Sequence, residues 1–316
     1  MSTRLAEDIG FSEAETSNVA IVTNELATNL VKHAKRGQII LGALRHGDTL
    51  GLEVLSLDQG PGIANIAQCM RDGYSSAGSL GNGLGAIARL AYEFDIYSLP
   101  GKGTAVMARL WAGKRTSQPM TRLDFGVSCL PMAGEEICGD GWAYEALADS
   151  TVCMVADGLG HGPEAAVAAD EAVATLREHK MKSPAEIVEK AHGVLRSTRG
   201  AALGVAQIQH SQEVLRFCGV GNIAGNIITD GVVRHLASNN GTAGVEARKI
   251  AEFSYPWNAN SLLIMHSDGL QSRWDLEKYP GLTLRHPSLI AAVLYRDFYR
   301  GRDDVTVLVG KTLTFG

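Results

Sequence analysis

The chain has little of what several functional classes require. Its five cysteines, Cys69, Cys129, Cys138, Cys153 and Cys218, are odd in number and never spaced as C-x-x-C. That excludes the common zinc-ribbon and disulfide frameworks, and they read as reduced, packed thiols of a cytoplasmic protein. No apolar run approaches the ~20 residues of a bilayer span, and the N-terminus lacks the basic and apolar blocks of a secretory leader. Positive charge is not in excess either. Lys and Arg number 29 against 34 Asp and Glu, a net charge of −5, so no basic face points to nucleic acid. No repeat or low-complexity stretch interrupts the chain. A cytoplasmic globular protein with neither nucleic acid nor membrane as partner is left, and its 316 residues suffice for two domains.

Glycine, by contrast, is abundant at 36 residues, and several cluster beside acids at the ends of apolar runs. The stretch 151–170, TVCMVADGLGHGPEAAVAAD, shows the pattern best. Val152 to Ala156 has the length of a buried strand and delivers Asp157 into a turn, Gly158 to Gly162. Pro163 then opens an alanine-rich helix at the first-turn position that proline tolerates. A carboxylate beside glycine-permissive backbone suits a metal ion or a phosphate. An ordinary β-turn-α corner has the same pattern, so the rest of the chain must decide.

In the N-terminal third, the spacing predicts a helix over 12–35. Ser12 and Glu15 form a capping box, and Val19, Val22, Leu26 and Leu30 recur at helical spacing. Glu25, Asn29 and His33 stand four apart and share a second face, as a merely solvated polar face also would. Strands over 38–44 and 51–57 are joined by a turn at His46-Gly47-Asp48, and the second leads into Asp58-Gln59-Gly60-Pro61-Gly62. A loop at 73–85 ends in Gly81, Gly83 and Gly85 before an apolar helix, 86–92. Glycine backbone at a helix start can wrap phosphates. Strands over 94–98 and 104–111, joined by Pro100-Gly101-Lys102-Gly103, complete the unit.

The succession NELATNLVKHA, DQGPGI, GNGLGAIARL and PGKGTAV resembles the GHKL (Bergerat) ATP-binding fold, and within it the bacterial anti-sigma-factor and switch-protein serine kinases. That resemblance implies ATP with magnesium as cofactor. It gives Asn29 the magnesium that bridges the phosphates, Glu25 the activation of the attacking hydroxyl, and Asp58 the adenine amino group. Gly60 and Gly62 would admit the base, Gly81, Gly83 and Gly85 would cover the phosphates, and Thr104 would lie under the adenine pocket. The family usually carries a strand and part of a helix before the first helix, and this sequence is expected to lack that leading strand.

Residues 114–122 are polar, basic and proline-bearing, and read as a linker between domains at 1–113 and 123–316. The second half predicts strands at 125–130, 201–236 (as one antiparallel meander), 262–266 and 305–309. Helices are expected at 163–179, 184–197 and 286–299. Asp140, between Gly139 and Gly141, reads as an exposed carboxylate on a tight turn. With Asp157, Asp268 and the pair Asp303-Asp304, acids stand at the ends of four apolar runs. Carboxylates without a histidine or cysteine cluster indicate a hard-cation site, and two ions bridged by carboxylates can hold a hydroxide for in-line attack on a phosphate.

GDGW, VADGLGHGPEAA, HSDGL and DDVTVLV resemble, in that order, the PPM-type metal-dependent serine/threonine phosphatases of the bacterial sporulation and stress-response branch. The fold implied is α+β: a GHKL α/β sandwich followed by a PPM-type α-β-β-α sandwich. The resemblance implies two Mn2+ or Mg2+ ions, with Asp140 and Asp157 as catalytic bridging ligands. The Gly158 carbonyl, Asp268 and Asp303 complete the set, Asp303 being preferred over Asp304. His161 keeps two readings, a phosphate contact or acid, and a residue that only shapes the turn; His266 reads as core. The joint implication is a bifunctional partner-switching regulator. It would dephosphorylate phosphoserine or phosphothreonine on STAS-type antagonist proteins and phosphorylate a serine or threonine on a related partner. The alternative is a phosphatase whose first domain is a non-catalytic ATP-dependent module binding a sigma factor or antagonist. The switch-kinase resemblance also leaves a homodimer open.

Overall fold

The computed structural model describes residues 1–34, 36–70, 83–113 and 122–312, and the chain divides into two compact units. The first takes Met1–Met120 together with Tyr279–Arg296, the second Thr121–Lys278 with Asp297–Gly316. The sequence reading gave all of 123–316 to one domain. The excursion of Tyr279–Arg296 is therefore a departure from it, and its cause lies in the first unit's sheet.

The first unit begins with α1 (Ser2–Asp8), absent from the sequence reading, and α2 (Glu13–His33). Ser12 caps α2 as expected: its hydroxyl accepts the Glu15 N–H, and the Glu15 carboxylate takes the Ser12 N–H at 2.8 Å. Strands β1 (Gly37–His46) and β2 (Thr49–Asp58) form a hairpin, followed by α3 (Ile66–Cys69), α4 (Gly83–Leu90), β3 (Glu93–Leu99) and β4 (Gly103–Trp111). The antiparallel sheet runs in the order β1-β2-β4-β3. One face carries Leu52, Val54, Val106 and Ala108 and packs on Val19, Val22 and Leu26 of α2 and Ile87 of α4. Strand alternation sends Glu53, Leu55, Leu57, Met107 and Arg109 to the other face, yet these too are buried. A sheet apolar on both faces needs a second cover.

The second unit contains β5 (Leu123–Leu130), β6 (Asp140–Ala146), β7 (Ser150–Gly158), α5 (Pro163–Glu178), α6 (Pro184–Val194), β8 (Ala201–Gln209) and β9 (Val214–Val220). It continues with β10 (Ala224–Thr229), β11 (Val232–Leu236), β12 (Ser238–Asn239), β13 (Glu252–Pro256), β14 (Ser261–His266) and β15 (Val305–Thr312). Helix α7 (Pro287–Phe298) lies between β14 and β15 in the chain. The strands build two sheets, β11-β10-β14-β15-β5 and β12-β9-β8-β7-β6, with β13 pairing β9. Val155, Phe217, Ile227, Met265 and Leu308 fill the layer between the sheets. Val152, Met154 and Ala156, on the opposite side of β7, pack under α5 and α6 through Ala168, Ala172, Leu176 and Ile187.

Two local expectations are corrected. The run 201–236 is not one meander: β8–β9 and β10–β11 are each hairpins, but they lie in different sheets. The chain changes sheet at Gly221 (φ +94°), where an added Cβ would lie 2.6 Å from the Ala202 Cβ. Asp140 is not exposed on a tight turn. It opens β6 and is only 7% accessible, and its glycine neighbours exist because α5 presses on them. A Cβ on Gly139 would meet the Ala165 Cβ at 2.7 Å, and one on Gly141 the Ala169 Cβ at 3.1 Å.

Candidate functional site

In the first unit, β2 ends at Asp58, whose Oδ1 accepts the Gly60 N–H at 2.7 Å and fixes the turn. Gly60 lies so close to the end of α2 that a Cβ there would be 2.8 Å from the His33 carbonyl oxygen. Gly62 and Gly103 hold φ of +74° and +87°, which glycine adopts without strain. On the same face of the sheet as Asp58, the hydroxyl of Thr104 lies 2.9 Å from that of Ser98, which accepts the Ile63 N–H at 2.7 Å. The first residue of α4 reaches the polar face of α2. A Cβ on Gly83 would stand 3.1 Å from Glu25 Oε2 and 3.7 Å from the Asn29 amide. The helix-face reading of Glu25 and Asn29 thus acquires a partner, the amino end of a helix, where backbone N–H groups favour anions. Gly85 is buried in α4. Gly81 and most of the 73–85 loop lie outside the described residues.

In the second unit, Asp140 and Asp157 are register partners across β6 and β7. Asp140 Oδ2 accepts the Ser267 hydroxyl at 2.6 Å, and Ser267 Oγ accepts the Thr306 N–H at 2.9 Å. That chain ties β6 to the start of β15 and to the residue before Asp268. Asp268 Oδ2 accepts the Asn222 side-chain amide at 2.7 Å. Burial, then the charges of Asp140, Asp268, Asp303 and Asp304, push the Asp157 carboxyl up to about 8. Burial also raises Asp140 to about 7, against the lowering effect of its bond to Ser267. Asp303 is raised as well, by burial first and then by its acidic neighbours. Buried like charges at one place are costly unless a proton or a cation neutralises them.

The two adjacent acids divide their work. Asp304 is 3% accessible, and its carboxylate accepts the N–H groups of Met132 and Gly139 at 2.7 and 2.8 Å. It holds the 131–139 loop. Asp303 is the more open of the two and accepts the Asp304 N–H at 2.9 Å. Gly158 lies under the first turn of α5, where a Cβ would be 2.6 Å from the Ala165 carbonyl carbon. His161 Nδ1 pairs with Glu135 Oε1 at 2.8 Å. His266 is buried, bonds the Ser267 carbonyl oxygen at 2.9 Å and accepts from the Trp274 indole at 3.3 Å, so it is core. Ser267, Asn222 and Glu135 escaped the sequence reading. Only Ser267, beside Asp268 in HSDG, carried any local signal.

Among the described residues, no three acidic, histidine or cysteine side chains close around a single point as a complete metal cage. The donor set nevertheless fits a hard cation. Magnesium takes one or two carboxylates, keeps several waters and accepts carbonyl oxygen. The raised Asp140 and Asp157 are the groups whose charge such an ion would relieve.

Comparison with known proteins divides the chain by sequence into two matches, the second of which runs through Tyr279–Arg296. The model of Stage II sporulation protein E (SpoIIE) matches residues 148–312, more than half of the sequence. The chain belongs to the SpoIIE family. In this SpoIIE-family protein, residues 1–110 match the histidine kinase-like ATPase domain. The serine/threonine-protein kinase RsbT of Bacillus subtilis is 36% identical over 107 residues, covering 34% of this chain and 80% of RsbT. The phosphoserine phosphatase RsbX of the same organism is 28% identical over 141 residues, 43% of this chain and 69% of RsbX. Among solved structures, a bacterial stressosome component aligns with a TM-score of 0.57 at 26% identity over 60% of this chain and 99% of its own. The SpoIIE phosphatase domain with a fragment of its regulatory domain, from Bacillus subtilis, shares the fold over 95% of this chain and 90% of its own (TM-score 0.52, 17% identity). The protein is thus a kinase-like ATPase domain fused to a PP2C-type serine/threonine phosphatase domain. Among the described residues no helix is long and apolar enough to cross a membrane.

Proposed function

We propose that the chain is a cytoplasmic partner-switching regulator. Its second unit removes phosphate from phosphoserine or phosphothreonine on a STAS-type antagonist, and its first unit uses ATP to phosphorylate a serine or threonine on a related partner. The observation that carries the phosphatase reading is the facing pair Asp140, buried, and Asp157, half-buried, both raised by desolvation first and then by their acidic surroundings.

Asp140, Asp157, the Gly158 carbonyl, Asp268 and Asp303 would hold two magnesium or manganese ions. Such ions supply a hydroxide at neutral pH and neutralise the phosphate. The chain's own residues do the rest. Ser267 fixes one Asp140 oxygen, leaving the other to serve as ligand, and Asn222 orients Asp268 in the same way. Asp304 keeps the loop before Asp140 in place. No cysteine stands in a nucleophile motif, which favours direct attack of water on phosphorus over a phosphoenzyme.

In the first unit, Asn29 would hold the magnesium of ATP and Glu25 would orient the attacking hydroxyl. The amino end of α4 would face the phosphates, and Asp58 would accept from adenine. Phosphoryl transfer asks for little beyond such positioning. The convergence of Glu25, Asn29 and Gly83 supports this reading.

The test uses the purified chain, a STAS-domain partner, labelled ATP and magnesium, with Asp157→Asn beside wild type. Label accumulating on the partner only in the variant is the expected result, because the phosphatase then no longer masks the kinase. Retained ATP binding with no labelling by either protein would leave the first unit as a nucleotide-dependent binding module.

A further inference from the structure

The first unit's sheet is covered on its second face by a segment that the sequence places between Asp268 and Asp303. Within that unit, Ser288 of α7 donates to Glu53 Oε2 at 2.7 Å. The same carboxylate oxygen takes Arg109 Nε at 2.7 Å, and Arg109 Nη2 reaches the Ser288 hydroxyl at 3.0 Å. A buried ion pair is costly unless its remaining donors and acceptors are used, and Ser288 closes this one. On β3, Asp95 accepts the His286 N–H at 2.8 Å and the Arg285 guanidinium at 3.3 Å. These partners lie on the sheet face that α2 leaves uncovered, and Pro287–Tyr295 is buried throughout. The helix is core, not an appendage.

One end reaches the loop assigned to the base, the other the turn between β3 and β4. Arg296 Nη1 donates to the backbone carbonyl of Asp58 at 3.0 Å, and the Gln59 side chain donates back to the Arg296 carbonyl at 3.5 Å. At the other end, the Lys102 ammonium lies 4.1 Å from the centroid of the Tyr279 ring. Gly103 abuts the same Asp58 carbonyl from the opposite strand, where a Cβ would sit 2.7 Å from the carbonyl carbon. The Asp58 peptide is therefore held between Gly103 and a charged donor from a distant part of the sequence.

We propose that Tyr279–Arg296 is an integral part of the nucleotide-binding unit, and that Arg296 is a positioning residue for the base-recognising loop at Asp58. This rests on the reading of Asp58 as the adenine acceptor. Arg296 touches no nucleotide. It fixes the peptide from which the Asp58 carboxylate projects, so its loss is felt by the base. The phosphate end, formed by Asn29 and Gly83, is spared. A charge-assisted hydrogen bond to a partly buried carbonyl has the strength to set such an orientation.

The test measures affinities of the full-length chain for ATP, GTP and inorganic tripolyphosphate with magnesium, for wild type, Arg296→Ala, Arg296→Lys and Asp58→Asn. Arg296→Ala is expected to weaken ATP about tenfold, which corresponds to ~1.4 kcal/mol, while GTP and tripolyphosphate stay unchanged. Arg296→Lys should recover part of the loss. Equal weakening of all three ligands, or no change in ATP, would overturn the positioning role. Asp58→Asn with wild-type ATP affinity would instead sink the adenine reading. Hydrogen exchange on the unmodified protein tests the integral role without any substitution. Amides of 279–296 should slow when ATP is added, and unaltered exchange there under saturating ATP would refute it.

Discussion

Asp140 and Asp157 face each other across β6 and β7, two carboxylates in register at the end of a strand pair. Their carboxyls stand at about 7 and about 8 in the folded protein, raised chiefly by burial. An unfolded aspartate titrates near ~3.9. Between those values the folded state binds more protons than the unfolded state, so stability is highest at the acidic end and declines as pH rises. In chelator, the denaturation midpoint of the second unit should therefore fall from about pH 5 to about pH 8. Saturating magnesium should flatten the decline. A midpoint in chelator that stays level or rises across this range contradicts the electrostatic account.

Asp157→Asn removes one of the repelling charges while keeping the shape of the side chain. In chelator at pH 8 the variant should melt at a higher temperature than wild type, and magnesium should shift its melting less. Its phosphate release should drop to background. A variant less stable than wild type in chelator would show that Asp157 is held by favourable contacts and not by its neighbours' need for a cation.

Asp303 and Asp304 should separate cleanly by substitution. Asp304→Ala strands the buried Gly139 N–H and the half-buried Met132 N–H, a loss of about 3 kcal/mol. Asp303→Asn should leave the melting temperature in chelator near wild type and weaken magnesium binding, read by calorimetry. The reverse pattern would exchange their roles.

Glu25→Gln keeps the size of the side chain beside Gly83 and removes its charge. ATP affinity should persist while transfer of label to a partner disappears. Transfer at the wild-type rate would take Glu25 out of the chemistry.

Much of this was legible in the chain because the deciding signals are local. The capping box at Ser12 and Glu15, the proline opening α5 and the acids at strand ends depend on neighbours a few residues away. Other features depend on residues far apart in sequence. Asp140 reads as a turn acid until α5 is laid against Gly139 and Gly141, which turns the glycines into clearance for a helix and the acid into a buried strand end. Asn222 and Ser267 become orienting groups only when distant segments meet. The split between Asp303 and Asp304 follows from which of them the 131–139 loop uses as an anchor.

The sequence by itself determined the two sets of motifs, their order and most of their strands and helices, because periodicity, caps and glycine turns are written in short windows. Tertiary structure alone decided where Tyr279–Arg296 belongs. Its helical period shows that it forms a helix, but not which surface it covers. That choice was made by Glu53 and Arg109, a buried ion pair on a sheet face that needed a hydroxyl and an apolar cover. Ser288 and the helix that carries it met the need from 179 positions away.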